Sequence, residues 1–314
     1  MSDILIAQPV FLVASERSGS TLLRLMLDSH PSIANPGECD FLFDQVKDDG
    51  SQPNVDQYRE WLALDRIFLG RKLTIDPSLG FVDLINSFVS QMKRPNSVMV
   101  MNIHRNFYRI PQYFPQARYI HLIRDGRDVA RSCIGMDWVG NTYYGIDIWL
   151  EAETAWDSLK ASLQPSQYME IRYEDILENI ESGLGRICKF LGTEYSQRML
   201  DYTTHSTYSL PDKNLCYQWK SKYNERELSL VESKASDVLA KYGYELSGVS
   251  ICGPSLFERV SLFVQNKLFR IRRRISVYGY SLFFQYVLAK RLKISPWERA
   301  LIARINAVNA KLIK

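Results

Sequence analysis

The segment from 15 to 21 reads Ser-Glu-Arg-Ser-Gly-Ser-Thr and lies between a short apolar run and an amphipathic helical pattern. Gly19 allows the backbone to turn its N–H groups inward, and the N-terminus of the following helix adds partial positive charge. Arg17 adds a charged, planar guanidinium that matches phosphate or sulfate oxygens. Three neighbouring side chains add hydroxyl donors: Ser18, Ser20 and Thr21. A polar turn in which Ser20 only caps the helix is the simpler alternative, but so many donors around one glycine favour anion binding.

This segment differs from the phosphate-binding loop of nucleoside triphosphatases. That loop reads G-x-x-x-x-G-K-S/T, and its lysine reaches the terminal phosphates. Here one glycine and the lysine are missing, and no apolar strand ends in an aspartate suited to bind Mg²⁺. The sequence therefore argues against a nucleotide kinase or triphosphatase, although the arrangement of strand, turn and helix is kept.

A second candidate anion site lies in the stretch YIHLIRDGRDVARS, from 119 to 132. An apolar strand ends at Arg124, and Ser132 follows about two turns into the next helix, with Arg127 and Arg131 nearby. An ordinary capped and salt-bridged helix start would also explain the pattern R-D-G-R-D. Two such segments after two strands are more informative than one, because together they predict a nucleotide with phosphate at both ends of the nucleoside.

The elements that must position these residues alternate between strands and helices. Strands are predicted at 10–14, 97–103, 117–123 and 168–176. Helices are predicted directly after the first and third strands, at 182–192, and over a long stretch that ends at Gly243. This alternation predicts an α/β fold with a P-loop-like central parallel sheet flanked by helices. In such sheets ligands bind beyond the carboxyl ends of the strands, where the Arg17 and Arg124 turns fall.

The charge distribution marks a boundary near residue 255. From Ser255 onward the chain carries thirteen Lys and Arg against two acidic residues, whereas residues 1–254 carry 26 basic and 33 acidic ones. We therefore predict a main domain at 1–254 and a basic amphipathic helical extension at 255–314. The five cysteines lie far apart without metal-ligand spacing, and the first apolar run lacks a basic residue before it. These features predict reduced thiols, no metal site, no signal peptide and a cytoplasmic location.

Four blocks of the sequence resemble the sulfotransferases that use 3′-phosphoadenosine-5′-phosphosulfate (PAPS), in particular the bacterial branch related to tyrosylprotein sulfotransferases. The blocks are ERSGSTLLRLMLDSHP, FPQARYIHLIRDGRDVARS, IRYEDILENIESGLGRICKFLG and YQWKSKYNERELSLVESKASDVLAKYGYE. Together they cover most of residues 8–246, so the resemblance implies a sulfotransferase catalytic domain within 1–254. It also implies PAPS as the sulfuryl donor, in-line transfer to a hydroxyl or amine acceptor, and no metal.

The resemblance also implies roles for individual residues. The 5′-phosphosulfate would be held by the first loop, through Arg17, Ser18, Gly19, Ser20 and Thr21. The 3′-phosphate would be held by Arg124 and Ser132, and the nucleotide would contact Tyr173. Either Lys213 or Lys220 would close over the phosphates from a later loop.

Transfer to a hydroxyl requires a base that takes the proton of the attacking oxygen. Relatives carry a Gly-Glu pair after the first helix, so the resemblance implies that Glu38, in NPGECDF, is this base, with Asp40 as the fallback. A solvated glutamate without a catalytic role is the alternative. Where many relatives have a lysine after the second predicted strand, this chain has MNIHRNF. His104 or Arg105 would supply the missing charge, and His104 could also carry a proton near neutral pH, unless its role is structural.

The acceptor and the role of the extension are left open by these patterns. A small molecule, a carbohydrate, a lipid or a peptide tyrosine could supply the hydroxyl, and helices within 42–93 are expected to form the acceptor-side wall. The extension could lie on an anionic membrane as a peripheral anchor, or pack on the domain or across an oligomer. No recognition motif accompanies its charge, which argues against nucleic acid. A second functional hypothesis is a catalytically inactive protein of this fold that binds a nucleotide or a partner.

Overall fold

The computed structural model describes residues 8–292 and 295–312, and a five-stranded sheet lies at its centre. The strands are β1 (Val10–Ala14), β2 (Ile33–Glu38), β3 (Val98–Ile103), β4 (Arg118–Ile123) and β5 (Tyr168–Arg172). Their order is β2-β3-β1-β4-β5, so β1 lies in the middle and β2 and β5 form the edges. All pairs are parallel, which confirms the predicted α/β sheet.

Helices connect the strands and continue beyond the sheet. In chain order the α-helices are α1 (Ser20–Asp28), α2 (Val55–Leu62), α3 (Arg66–Arg71), α4 (Phe81–Met92), α5 (Ile110–Tyr113), α6 (Gly126–Gly135), α7 (Thr142–Lys160), α8 (Tyr173–Glu178), α9 (Ile180–Leu191), α10 (Trp219–Lys222), α11 (Glu225–Lys241), α12 (Leu256–Leu292) and α13 (Ser295–Leu312). Short 3-10 helices lie at Asp40–Leu42, Phe107–Arg109, Pro165–Gln167, Gln197–Thr204 and Lys213–Leu215.

Both faces of the sheet are covered, which explains why β1 is a continuous apolar run. Side chains alternate between the faces of a strand. Phe11 and Val13 pack with residues of α2 and α4 on one face, whereas Val10 and Leu12 pack with residues of α1 and α9 on the other. The turn after β1 is thereby fixed at the carboxyl edge of a rigid, fully buried strand.

The sequence patterns do not predict β2. Its sequence IANPGE contains Asn, Pro and Gly, which are depleted in strands. Pro36 is tolerated because β2 lies at the edge of the sheet, and the register against β3 shifts between Ala34 and Gly37. The strand therefore forms through its pairing with β3 and not through its own propensity.

The other predicted strands are confirmed to within one residue, except at the end of the fourth. That strand was expected to span 168–176, but it ends at Arg172 and α8 begins at Tyr173. Glu174 and Asp175 fall in the first turn of α8, where the helix dipole favours negative charge. This early helix start brings Tyr173 to the carboxyl edge of the sheet.

The extension forms a pair of helices, as its amphipathic pattern predicts. The first helix, α12, bends at Gly279, whose φ of 74° interrupts the helical path. The second helix, α13, packs against the part of α12 beyond this bend. Their shared apolar contact consists of Leu282, Ala289 and Leu301.

Both helices of the extension also contact the main domain. Asn266 of α12 accepts a hydrogen bond from the backbone N–H of Gly140 at 2.8 Å. Arg299 of α13 forms an ion pair with Glu60 of α2 at 2.6 Å. Within 8–292 and 295–312, no helix has both the length and the apolar character needed to cross a membrane.

Candidate active site

The loop between β1 and α1 is tightly folded. Arg17 and Gly19 have φ values of 70° and 90°, a conformation that is strained for arginine and accessible to glycine. Ser18, between them, is fully buried, and its Oγ has no hydrogen-bond partner among the described residues. A buried hydroxyl without a partner is costly, but Ser18 lines neither of the two cavities that open at this loop.

Glycine is required at position 19 by the neighbouring side chain of Tyr173 as well as by the positive φ. A Cβ at this position would lie 2.4 Å from Cδ2 of Tyr173, which is closer than side chains approach one another. The Tyr173 ring is itself buried at the start of α8. The first loop and the start of α8 are therefore packed together through a contact that excludes any residue larger than glycine at position 19.

The two predicted anion-binding segments meet directly. The Nε of Arg17 donates a hydrogen bond to Oγ of Ser132 at 3.0 Å. Arg124, directly after β4, donates through Nη1 to the backbone oxygen of Arg17 at 3.2 Å, and its guanidinium lies 4.9 Å from the Tyr173 ring centroid. Since Ser132 accepts from Arg17, its own hydroxyl hydrogen stays available for an anion. The sequence thus identified four residues that the fold brings to one place.

Two adjacent cavities open at these residues. The first-loop cavity, about 520 Å³, is lined on one side by Arg17, Gly19, Ser20, Thr21, Arg124 and Tyr173, and on the other by residues 207–212. The Ser132 cavity, about 340 Å³, is lined by Arg124, Asp128, Arg131, Ser132, Tyr173, Leu215, Gln218 and Lys222. Arg124 and Tyr173 line both cavities, so one elongated ligand could contact both.

The later lysines differ in their positions. Lys213 lies in a short 3-10 helix, and the described residues that line the two cavities do not include it. Lys220 lies over the ring of Tyr217, with 5.2 Å between Nζ and the centroid. Lys222, at the end of α10, lines the Ser132 cavity, and sequence reasoning missed it. The sequence feature that could have indicated Lys222 is its place beside Lys220 in the basic stretch WKSK.

A bulge at the end of β2 positions Glu38. Gly37 has a φ of 89°, and its backbone N–H donates to Oδ1 of Asn35 at 2.8 Å. The Nη2 of Arg71, on α3, donates to the backbone oxygen of Glu38 at 2.9 Å. Bulges re-aim side chains at the ends of strands, and here Glu38 lines a separate cavity. Glu38 therefore lies at the end of β2, the edge strand that the sequence patterns do not predict.

The Glu38 cavity, about 350 Å³, adjoins the first-loop cavity. Its charged and polar lining consists of Thr21, Arg24, Glu38, Arg66, Arg71 and Asn102. Thr21 lines both this cavity and the first-loop cavity. A group bound at the first loop and a second molecule beside Glu38 would therefore meet at Thr21.

Asp40, His104 and Ser20 form a buried chain of hydrogen bonds that ends at the first-loop cavity. The Oδ2 of Asp40 lies 3.4 Å from Nδ1 of His104, and Nε2 of His104 lies 2.8 Å from Oγ of Ser20. Burial opposes a charge on the imidazole, but the hydrogen bond and charge of Asp40 outweigh it and raise the pKa of His104. Burial likewise opposes ionisation of Asp40, but His104 outweighs it and lowers the pKa of Asp40. The pair therefore favours a charged imidazolium behind Ser20.

Arg105 points to different partners. Its Nε and Nη2 donate to the carboxylate of Asp44 at 2.9 and 2.7 Å, and its Nη1 lies 3.7 Å from Glu16. Burial opposes the charge on Arg105, but the hydrogen bonds that Arg105 donates to Asp44 outweigh burial and raise the pKa of Arg105. Of the two candidates for the missing lysine, His104 is thus the one bonded to the start of α1.

Arg127 lies away from both cavities, although the sequence placed it near the second anion site. Its guanidinium is buried between Asp125 and Glu232, with nitrogen–oxygen distances of 2.7 Å to each. It also stacks on Trp219, 3.6 Å from the ring centroid. Arg127 therefore joins α6 to α10 and α11 inside the domain.

Comparison with known proteins places this geometry in a family. The profile of the sulfotransferase family matches residues 9–197. The match contains the first loop, the bulge at Glu38, the four cavity-lining residues that follow β4, and Tyr173. It ends before Lys222 and before the extension.

The curated relatives are distant in sequence. A putative protein-tyrosine sulfotransferase of Caenorhabditis briggsae is 24% identical over 208 residues, which cover 62% of this chain and 69% of the relative. An omega-hydroxy-beta-dihydromenaquinone-9 sulfotransferase of Mycobacterium bovis is 26% identical over 212 residues, which cover 60% of this chain and 51% of the relative. The chain thus spans about half the length of the second relative.

Solved structures share the fold. The sulfotransferase domain of the Synechococcus PCC 7002 olefin synthase matches with a TM-score of 0.60 and 21% identity, covering 76% of this chain and 95% of that domain. The sulfotransferase domain from the curacin biosynthetic pathway matches with a TM-score of 0.56 and 20% identity, covering 76% of this chain and 98% of that domain. Because the family profile covers more than half of its residues, the chain belongs to the sulfotransferase family.

Proposed function

We propose that this protein moves the sulfuryl group of PAPS to a hydroxyl or amine acceptor, with Glu38 as the general base. The observation that carries the proposal is the position of Thr21, which lines both the first-loop cavity and the Glu38 cavity. We call the first-loop and Ser132 cavities together the donor side, and the Glu38 cavity the acceptor side. A sulfuryl group at the first loop would lie at the wall between the two.

On the donor side, the residues suit a nucleotide with phosphate at both ends. The first loop offers backbone N–H groups, the N-terminus of α1 and the hydroxyls of Ser20 and Thr21 to the 5′-phosphosulfate. Arg124 and Ser132 are available to the 3′-phosphate, and Lys222 adds a further positive charge to the same cavity. No metal is invoked, because these groups supply the positive charge.

On the acceptor side, the reaction requires a base and an open path to sulfur. The acceptor oxygen forms a bond to sulfur as the bond from sulfur to the 5′-phosphate oxygen breaks, and adenosine 3′,5′-bisphosphate leaves with the electron pair. The proton of the acceptor passes to the carboxylate of Glu38. Arg24, Arg66 and Arg71 line the same cavity and favour oxygen-rich groups near the reacting hydroxyl.

His104 acts through Ser20 in this proposal. A charged imidazole donates from Nδ1 to Asp40 and from Nε2 to Oγ of Ser20, so the Ser20 hydrogen points to the donor side. Positive charge close to the phosphosulfate stabilises the negative charge that grows on the leaving group. His104 would thereby take over, as a positioning residue, part of the role of the lysine that many relatives carry.

The Glu38→Gln variant tests the proposal with radiolabelled PAPS and a panel of alcohols, phenols and sugars as acceptors. We expect turnover to fall by at least about 100-fold, since general-base catalysis contributes roughly 10²–10⁴-fold. Binding of adenosine 3′,5′-bisphosphate, measured by calorimetry, should stay unchanged. Glu178→Gln, at an exposed position of α8, is the matched control.

Two outcomes would contradict the proposal in different ways. Full turnover in the Glu38 variant would remove Glu38 from the role of base. Tight nucleotide binding by the wild-type protein without transfer to any acceptor would favour the second hypothesis, a nucleotide-binding protein without catalysis.

We further propose that the extension binds an anionic membrane surface. Large apolar side chains of α12 recur at helical spacing and are exposed: Leu256, Phe257, Val260, Phe263, Val264 and Leu268. Arginines at 270 and 272–274 follow on the same helix. Apolar side chains flanked by basic ones are the combination that binds the interface of anionic bilayers.

Co-sedimentation of the full chain with phosphatidylcholine vesicles, with and without phosphatidylglycerol, tests this second proposal. Binding should require phosphatidylglycerol, and it should weaken when Phe257 and Phe263 are both changed to serine. Phe257 is 83% exposed, so these changes leave the fold intact. Dimerisation in solution through these side chains, without vesicle binding, would instead assign the exposed face to a second copy of the chain.

A further inference from the structure

A fourth cavity, about 580 Å³, lies between α13 on one side and α3 with the segment before it on the other. We call it the α13 cavity. The main domain contributes Ala63, Leu64 and Leu69, and α13 contributes Ala303 and Ala307. Its wall is therefore made mainly of small or aliphatic side chains, in contrast to the arginine-rich lining of the Glu38 cavity.

The α13 cavity is next to the Glu38 cavity. Arg66 and Gly70, both on α3, line the two cavities together. Gly70 has no side chain to separate them, and outside its own helix backbone and chain neighbours no atom lies within 4 Å of the position where its Cβ would stand. A ligand could therefore extend past Gly70 from one cavity into the other.

The extension is held against the domain at this place. Arg299, near the start of α13, pairs with Glu60, and Nδ2 of Asn306 donates to the backbone oxygen of Leu64 at 2.5 Å. Ala303 lies between these two anchors, and its small side chain leaves the cavity open. The anchors fix α13 at a distance that leaves room for a ligand.

We propose that the α13 cavity is the far part of the acceptor site and that it holds the apolar chain of a long-chain alcohol whose hydroxyl reaches Glu38. This inference rests on the proposed function. Polar groups of the acceptor lie among Arg24, Arg66 and Arg71, whereas the chain passes Gly70 and contacts Ala303 and Ala307. The extension thereby selects the acceptor, in addition to any contact it makes with a membrane.

The physical basis is the transfer of methylene groups out of water. Each methylene buried in an apolar cavity increases affinity by roughly fourfold. A volume of 580 Å³ lies within the range of small-molecule sites. A short alcohol fills only the Glu38 cavity, so it gains nothing from α13.

The test uses the full chain and 10-(1-pyrenyl)decanol, whose fluorescence reports its binding in the presence of adenosine 3′,5′-bisphosphate. The variants Ala303→Trp and Ala307→Trp fill the cavity from positions that are exposed on α13. We expect each to weaken binding of the pyrenyl alcohol at least about tenfold, with unchanged affinity for the nucleotide. Ala240→Trp, at an exposed position of α11 that lines none of the cavities described, is the matched control and should bind as the wild type does.

Turnover gives a second readout. With radiolabelled PAPS, kcat/KM should rise from 1-butanol to 1-decanol in the wild type and in the Ala240 variant, and the rise should be lost in the Ala303 and Ala307 variants. Undiminished binding of the pyrenyl alcohol in both tryptophan variants would overturn the proposal, as would no binding by the wild type. If the pyrenyl alcohol binds as expected but the nucleotide does not bind at all, the proposed function fails while the apolar site stands.

Discussion

On the donor side, Gly19 faces the buried ring of Tyr173, whereas on the acceptor side Gly37 faces the terminal nitrogen of Arg71. Both glycines have nearly the same backbone conformation, with φ values of 90° and 89°. The neighbour of Gly19 cannot move without disturbing the core, but the end of an arginine side chain can. The donor side is therefore tightly packed where the nucleotide is proposed to bind, whereas the acceptor side has room to adjust.

This difference agrees with the chemistry proposed for each side. One nucleotide must be held in one orientation for in-line transfer, so its site gains from parts that are fixed before binding. The acceptor side combines long arginine side chains, an irregular edge strand and a helix of the extension.

The largest effect on stability is expected for Arg127→Ala, which tests whether buried ion pairs support α6, the helix that carries Ser132. Removing this guanidinium leaves Asp125 and Glu232 buried without their partner, which destabilises a protein by about 3–5 kcal/mol. Urea unfolding followed by circular dichroism measures the loss. Arg131→Ala, on the exposed face of the same helix, should stay within about 0.5 kcal/mol of the wild type. Equal losses of unfolding free energy in the two variants would show that the buried ion pairs of Arg127 do not support this helix.

The two glycines provide the next test. Gly19→Ala combines backbone strain of about 1–3 kcal/mol with overpacking against Tyr173 of similar size, so we expect a loss of about 3 kcal/mol. Gly37→Ala carries the strain alone, because Arg71 can move aside, and should lose about 1–2 kcal/mol. Both losses are measured by denaturant unfolding. A larger loss at Gly37 than at Gly19 would reverse the contrast between the two sides.

Arg124→Ala should affect binding more than folding. The guanidinium is the charged group shared by both donor-side cavities, and a hydrogen bond to a charged group contributes about 1.5–3 kcal/mol, or roughly 10- to 100-fold in affinity. Calorimetry with adenosine 3′,5′-bisphosphate measures this change. Adenosine 5′-phosphate, which lacks the 3′-phosphate, should lose less affinity. Equal losses for both nucleotides would argue against a 3′-phosphate contact.

The smallest expected effect is the pH-dependent loss of stability in the Asp40→Asn variant. The raised pKa of His104 stabilises the folded state fully below the ordinary pKa of about 6.5, and this contribution is lost as the pH rises through the folded value. The lowered pKa of Asp40 contributes above about pH 3.9 and is lost as the pH falls through its folded value. The variant should therefore lose more stability at about pH 5.5 than at about pH 8.5.

Urea unfolding at the two pH values measures this difference. Asp237→Asn, at an exposed position of α11, should show the same small change at both. An equal loss at both pH values in the Asp40 variant would mean that His104 is uncharged in the folded protein. The proposed role of His104 behind Ser20 would then be wrong.

The donor side was largely predictable because its residues follow strand ends in short, local motifs. Arg17, Gly19, Arg124 and Ser132 each sit at a fixed offset from a buried strand, so the sheet alone brings them together. Their roles in binding stay predictions, but their proximity is a property of the fold. Tyr173 reached the same edge through a helix start that the strand pattern had hidden.

The acceptor side was less predictable because it depends on contacts between distant segments. The edge strand β2 has little strand propensity of its own and forms by pairing with β3. Lys222 and the residues of α13 reach their cavities only through the packing of whole helices. The segment beyond residue 255 is helical as predicted, and the boundary itself stays a prediction, but charge alone could not show that α13 would return to α3.

The contact between Gly140 and α12 has a consequence for how the protein is made. A Cβ on Gly140 would lie 2.7 Å from Cβ of Phe269 and 2.9 Å from Cα of Asn266. The backbone of α12 therefore packs directly against the backbone at Gly140. The extension is synthesised after the domain, and the docking surface at Gly140 stays exposed until it arrives. A nascent chain could therefore assemble the proposed nucleotide site first and acquire the proposed acceptor cavity only with the final helix.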